Sequence, residues 1–484
     1  MCYMENSEKK KFYVTTSIPY VNAAPHVGFA LELVQADVLA RYHRLLGEDT
    51  FFLTGTDEHG SKVPKAAAKA GKEVLEFVNA VSTKFRDLAK VLDISNSHFI
   101  RTTSQGHIKA SQKFWAAAVA SGDIYKGKYE GLYCVGCENY YNESELLDGL
   151  CPIHKTKPEL LSEENYFFRF SKYQKALLEH YEKHPDFVAP AHRLKEIREF
   201  VSAGLSDISV SRSTKTLKWG VPVPGDKNQV IYIWFDALIN YVSGIGYAED
   251  DETFKKYWPA DIHVIGKDIL RFHAALWPAM LLSAGLSLPK QVFVHGFISV
   301  EGEKLSKSRG NIIDPFPLVE KYGIDPVRYF LLREIPSNGD GDYSEQKLRN
   351  RYTSDLQNNL GNLISRVTNL VEKHLDGEVP HDVESPKYAE HLEEYINTFR
   401  FHEALAEIWE SVAWANQYID QVKLWELPKK DPKLFGEVIS SLVALLRQVT
   451  RELSPFLPAT AEKLDEIFRA EKIVKSSPLF PRLE

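Results

Sequence analysis

The rhythm of apolar and polar positions changes twice along this chain. Residues 12–16, FYVTT, form a short β-branched and aromatic run that predicts a buried strand. After the loop SIPYVNAAP comes HVGFALELVQADVLARYHRLLG, where Leu31, Val34, Val38, Tyr42 and Leu45 recur at three- and four-residue steps. That spacing predicts one face of a helix, with Gly47 as its stop. TFFLTGTDEHG predicts a second strand, closing a βαβ unit with parallel strands. The pattern returns at DIHVIGKD, ILRFHAALWPAMLLSAG and QVFVHGFISV: strand, helix, strand, preceded by VIYIWFDALINYVSG as a strand running into a helix. Two separated halves predict a doubly wound parallel sheet of nucleotide-binding type interrupted by an insertion. Beyond about residue 350 the strand pattern stops, and LQNNLGNLISRVTNLVEKHL, FRFHEALAEIWESVAWANQYI and FGEVISSLVALLRQVTREL predict an α-helical bundle. The expected divisions are 1–115 and 226–300 for the two Rossmann halves, 116–225 for the insertion, 301–350 for a connecting region, and 351–484 for the bundle.

Composition narrows the class. A chain of 484 residues is too long for one ordinary core. With 44% hydrophobic and 26% charged residues it reads as globular, and no apolar run approaches a membrane span. The start, MCYMENSEKKK, lacks a signal-peptide core and carries acidic residues without arginine, so the cytoplasm is the expected compartment. A net charge of −7 is the wrong sign for indiscriminate adhesion to nucleic acid, so any RNA partner must be held by local patches and base contacts. Four cysteines are too few for a secreted disulfide scaffold.

Cys134, Cys137, Cys151 and His154 form C-x2-C, thirteen intervening residues, then C-x2-H. Thiolates and imidazole at that spacing suit one tetrahedral Zn²⁺, and four protein ligands leave no open position, so the metal is expected to be structural. His26 stands at the predicted start of the first helix, where free N–H groups and the positive dipole end favour phosphate; taken singly, such a histidine is more often a cap or a surface residue. Gly28 would let a nucleotide approach the backbone. Asp57 falls at the C-terminal end of the second strand, the edge at which parallel sheets bind ligands; a turn-forming role is the plainer alternative. Tyr20, Trp234, Tyr241 and His273 also fall beside or just after strand ends. GEKLSKSRG, 302–310, reads as a wet surface loop unless a nucleotide site stands beside it.

Together SIPYVNAAPHVGF, FFLTGTDEHG, GLYCVGCENYY with CPIH, IYIWFDALINYVSG, IGKDILRFHAALWPAML, FVHGFISVEGEKLSKSRGN and NNLGNLISRV resemble the class I aminoacyl-tRNA synthetases, most closely the methionyl family. HVGF stands at that family's HIGH motif and KLSKS at KMSKS, with Leu305 replacing methionine and Phe29 replacing the second histidine. The resemblance implies ATP-dependent activation of L-methionine and its transfer to tRNA(Met), with Mg²⁺ bridging the phosphates. It makes His26, Lys304 and Lys307 the catalytic side chains and adds Gly28, Gly266, Asp268, His295 and Ser306 as ATP-binding positions. Asp57 would take the methionine ammonium. Ser17, Ile18, Tyr20, Trp234, Leu238, Tyr241, Ile269 and His273 would surround its side chain, with Tyr241 or the backbone at Ile18 donating to the sulfur. Arg212 matches an arginine near that aspartate. Asn362 and Arg366, four apart on one helix face, would read the CAU anticodon with Trp425, for which a bundle-core role is the alternative. The 301–350 region becomes the KLSKS loop and stem-contact region.

Rival readings are weaker. The Leu, Ile and Val enzymes need a larger editing insertion, and the cysteinyl enzyme needs an open zinc position. A nucleotide-binding oxidoreductase lacks its G-x-G-x-x-G after the first strand. A non-catalytic tRNA-binding relative is favoured only by Phe29. A monomer is expected.

Overall fold

The computed structural model describes residues 9–137, 139–141, 143–300, 302–304, 312–380 and 382–483. Among these, six parallel strands build the central sheet in the order His98–Arg101, Asp49–Thr56, Lys11–Thr16, Ile262–Gly266, Gln291–His295 and Val188–Ala189. The order reverses between Lys11–Thr16 and Ile262–Gly266, whose register pairs Thr16 with Val264. A crevice must open there beyond the strand ends, because the chain leaves the two neighbours toward opposite sides. Val14, Val264 and Ile265 are fully buried, as strands covered on both faces require.

The helix Val27–Leu45 crosses behind this junction. Leu31, Val34, Val38 and Tyr42 are buried as their spacing predicts, but Leu45 is 41% exposed. The intervening residues Leu33, Ala36, Leu39 and Ala40 are buried too, since the helix Ile324–Arg333 covers the face turned from the sheet. One-sided amphipathicity thus understates a helix sandwiched between layers.

QVFVHGFISV, expected as one strand, is two: Gln291–His295 in the parallel sheet and Ile298–Val300 in a separate sheet with Glu303–Lys304 and Gly341–Tyr343. The break is at Gly296. A Cβ there would lie 2.0 Å from the Gly339 carbonyl oxygen, so only glycine admits the 339–341 segment that captures the second strand.

The insertion supplies an antiparallel sheet, Asn139–Tyr141, Ile124–Cys134, Glu159–Phe168 and Ile208–Ser209. It also sends Val188–Ala189 back as the edge strand of the parallel sheet. Asp226–Ile231, the strand before IWFDAL, pairs with Ser211–Ser213 and not with the central sheet. Past Glu345 the chain is helical, with Asn362–Leu375, Phe401–Gln421, Pro432–Leu453 and Pro458–Arg469 packed around Leu363, Ile408, Val412, Leu442 and Leu446. No helix of the described residues is long and apolar enough to cross a membrane.

Candidate active site

A cavity of about 500 Å³ opens at the reversal point of the sheet. Ser17, Ile18 and Tyr20 reach it from the loop after Lys11–Thr16, and Gly266, Asp268 and Ile269 from the turn after Ile262–Gly266. His26 and Gly28 come from the head of the first helix, and Asp57 and His295 from the ends of their strands. Trp234, Leu238, Tyr241 and His273 line the opposite side.

Backbone pairing fixes the Asp57 end of the cavity. Asp57 N–H donates to the Pro19 carbonyl at 2.9 Å and Val21 N–H to the Asp57 carbonyl at 3.0 Å, so SIPYV extends the sheet alongside GTD. Tyr20 is set by Lys62 N–H, which donates to its hydroxyl at 3.0 Å. Asp57 itself is only 7% exposed, a depth at which a carboxylate favours a cationic partner strongly. Across from it Trp234 stacks on Phe272 at 3.7 Å and 3°. His273 sits in a π-helical turn, Phe272–Leu276. Its Nδ1 lies 3.0 Å from the Ile269 carbonyl, which can only accept, so Nδ1 carries the proton. Burial lowers its pKa to about 4, leaving a neutral ring whose Nε2 accepts from the Tyr241 hydroxyl at 2.7 Å.

At the other end His26 is the N-cap of Val27–Leu45, with Nδ1 accepting from Gly28 N–H at 3.1 Å. That bond turns the neutral ring's Nε2 into the donor, so capping and phosphate binding are compatible roles of one side chain. Phe29 is buried edge-on to Phe85, centroids 5.5 Å apart; where the family has a second histidine this chain has a core contact.

The sequence reading missed Glu32. Its Oε1 accepts from Ser17 N–H and Oγ, both at 2.6 Å, and its Oε2 lies 3.0 Å from His295 Nε2. His295 Nδ1 faces the Gly296 carbonyl at 2.8 Å, so both ring nitrogens donate and the imidazolium is the favoured form. Burial alone would lower His295, but the hydrogen bond and charge of Glu32 outweigh it and its pKa is raised. The only signal in the sequence was a glutamate inside the apolar run VGFALELV. A folded pKa above the unfolded 6.5 means that stability from this pair is complete below about pH 6.5 and is lost as pH rises through the folded value. Glu32→Gln is expected to lower the His295 midpoint in an NMR titration and to remove that pH dependence; an unmoved midpoint would refute the pairing.

Cys134, Cys137, Cys151 and His154 converge, with ligand atoms all within 4.8 Å of one another. Cys137 Sγ is 3.4 Å from Cys151 Sγ and 3.1 Å from His154 Nδ1, spacings a Zn²⁺ ion with bonds of about 2.0–2.3 Å could bridge. Burial acts against the Cys151 thiolate, yet N–H donation from His154 and Ile153 lowers it to about 6, while burial pushes Cys137 up to about 12. A dication among four such donors would hold both as thiolates, so the donor set fits zinc. Gly136 is needed in the turn, because a Cβ there would meet the His154 ring at 2.6 Å. Cys137 also lines the main cavity, placing the knuckle against its wall.

Other predicted positions lie elsewhere. Arg212 lines a neighbouring cavity of about 290 Å³, where Nη1 donates to Ser209 Oγ at 3.0 Å and the Ser211 carbonyl at 2.7 Å. The Trp234–Phe272 stack separates that cavity from the main one. Ser306, Lys307 and the Lys304 side chain lie outside the described residues; the Lys304 backbone pairs with Ser299. In the bundle Asn362 is exposed, Arg366 pairs with Asp420 at 2.8 Å, and Trp425 is 53% exposed, which rules out the core role.

Comparison with known proteins shows the family. The family model described as tRNA synthetases class I (M) matches residues 12–156 and 137–368, and the anticodon-binding domain of tRNA ligase matches 385–484. A methionine–tRNA ligase from Caldanaerobacter subterraneus subsp. tengcongensis is 47% identical over 95% of this chain and 74% of its own length. One from Brucella melitensis biotype 1 is 46% identical over 96% and 92%. The Mycobacterium tuberculosis methionyl-tRNA synthetase structure in complex with methionyl-adenylate superposes with a TM-score of 0.90 at 41% identity, covering 98% of this chain and all of that one. With that family model matched from residue 12 to residue 368 and such relatives 46–47% identical over nearly the whole chain, the chain belongs to the class I methionyl-tRNA synthetases.

Proposed function

We infer that the protein is a methionine–tRNA ligase. It joins L-methionine to AMP at the expense of ATP, releasing pyrophosphate, and transfers the methionyl group to the 2′-OH of the terminal adenosine of tRNA(Met). The observation that carries this reading is a cavity at the sheet's reversal point lined by the proposed methionine residues together with His26, Gly28, Gly266, Asp268 and His295, in a chain 41% identical to a synthetase solved with methionyl-adenylate. These relatives argue against the non-catalytic alternative.

We assign the ammonium of methionine to Asp57 and its side chain to the slot between Tyr20, Trp234, Leu238, Tyr241 and His273. Of the two donors considered for the sulfur, the Tyr241 hydroxyl already gives its proton to His273, which favours the Ile18 N–H. A carboxylate oxygen of methionine then attacks the α-phosphorus as the bond to the pyrophosphate oxygen breaks. His26 Nε2–H is assigned to an α-phosphate oxygen, and Gly28, Gly266, Asp268 and His295 to the nucleoside. Ser306 stays with the ATP-binding set, and Lys304 and Lys307 are assigned to the β- and γ-phosphates, whose negative charge moves away as pyrophosphate leaves; Mg²⁺ enters with ATP. Such catalysis works by positioning and charge stabilisation. Zinc at Cys134, Cys137, Cys151 and His154 would supply a structural crosslink and no reacting ligand. Asn362, Arg366 and the exposed Trp425 present guanidinium and aromatic surface suited to splayed anticodon bases. A cytoplasmic monomer completes the proposal.

Pyrophosphate exchange into ATP, run without tRNA against all twenty amino acids, tests it. Exchange that depends on methionine alone is expected. No exchange with any amino acid from folded, zinc-loaded protein would overturn it.

A further inference from the structure

Behind the amino-acid pocket lies a group of buried side chains that the mechanism does not use. Asp236 is fully buried, and its Oδ2 accepts from His59 Nδ1 at 2.7 Å. Its Oδ1 lies 3.0 Å from His107 Nε2 and 3.0 Å from Ser111 Oγ, while His107 Nδ1 is 2.8 Å from Ser243 Oγ. Asp236, His59 and His107 do not line the cavity. Their neighbours in sequence do: His59 follows Asp57 by two residues, and Asp236 stands between Trp234 and Leu238, five before Tyr241.

We propose that Asp236 is a positioning residue for methionine, tying the wall that carries Asp57 to the wall that carries Trp234, Leu238 and Tyr241. This rests on the functional reading above. The two walls come from segments about 177 residues apart, and the Asp236–His59 bond crosses directly between them. The second carboxylate oxygen is held by the helix Gln105–Ala120, through His107 and Ser111. A bond of this kind gives geometry more than stability, because a buried charged group pays a desolvation cost that well-packed apolar side chains of equal volume would avoid. Its effect belongs on the distance between the ammonium site and the thioether slot, and so on methionine and not on ATP.

The test measures pyrophosphate exchange and thermal melting for wild type, Asp236→Asn, His59→Ala and His59→Asn. Asp236→Asn and His59→Ala are expected to raise the methionine KM by about tenfold or more, the size of one lost hydrogen bond to a charged group, with the ATP KM within about twofold. His59→Asn, whose Nδ2 can stand in for Nδ1, is expected to restore most of the methionine KM. Lower melting temperature with unchanged methionine KM, equal losses for methionine and ATP, or His59→Asn as impaired as His59→Ala would each overturn the proposal. Should Asp236→Asn fail to fold, the His59 pair decides. Absence of methionine-dependent exchange in wild type would instead overturn the functional reading.

Discussion

Asp57→Ala should raise the methionine KM by roughly thirtyfold or more and leave the ATP KM within about twofold, since truncating one member of a buried charge pair costs about 2–5 kcal/mol. The carboxylate belongs to a residue only 7% exposed, whose backbone is held by pairing with the 19–21 segment. An ammonium entering the variant site would lose its water without gaining a partner. Pyrophosphate exchange at varied methionine and at varied ATP separates the two effects; equal losses would remove Asp57 from the ammonium site.

Arg328→Met should destabilise the protein by about 3–5 kcal/mol, the range for breaking a buried ion pair at one partner. Arg328 is completely buried in Ile324–Arg333, with Nη1 2.8 Å from Asp37 Oδ2 on the helix that His26 caps. Its remaining donors reach the carbonyls of Leu92 at 3.0 Å, Pro455 at 3.2 Å and Phe456 at 2.9 Å, so one guanidinium joins the Rossmann half to the end of the helix Pro432–Leu453. Methionine fills similar volume but leaves those acceptors unpaired. Burial alone would raise the Asp37 carboxyl; Arg328, then Arg41 and the Ser95 bonds, outweigh it and hold it below its ordinary 3.8. That contribution is present above about pH 3.8 and is lost as pH falls through the depressed folded value, so the wild-type advantage should shrink at strongly acid pH. Urea midpoints at pH 7 and under acid conditions check both parts. A loss under about 1 kcal/mol, the scale of an exposed pair, would refute the bridging role.

What could be read before folding was local. The strand Lys11–Thr16, the helix that follows it and the Asp57 strand show their own periodicity, because side-chain direction repeats every two or 3.6 residues whatever the partner. The cysteine–histidine cluster was legible because two closely spaced pairs of thiol and imidazole donors leave few other uses. Most of the cavity residues were legible only through family resemblance, since an aromatic beside a strand end has the same appearance whether it lines a pocket or a core.

The rest was decided by contacts far apart in sequence. Glu32 meets His295 across 263 residues, and Asp236 meets His59 across 177. Gly296 breaks a strand only because the 339–341 segment arrives against it, and Tyr241 becomes committed to His273 because a π-helical turn aims that ring. The exposure of Trp425, too, depends on how the bundle helices pack. The sequence alone determined most of the elements, the cysteine–histidine cluster and the family. The tertiary structure decided which charges are buried, who pairs with them and which hydrogen-bond donors stay available to a substrate, because those quantities depend on solvent exclusion and on partners that periodicity cannot register.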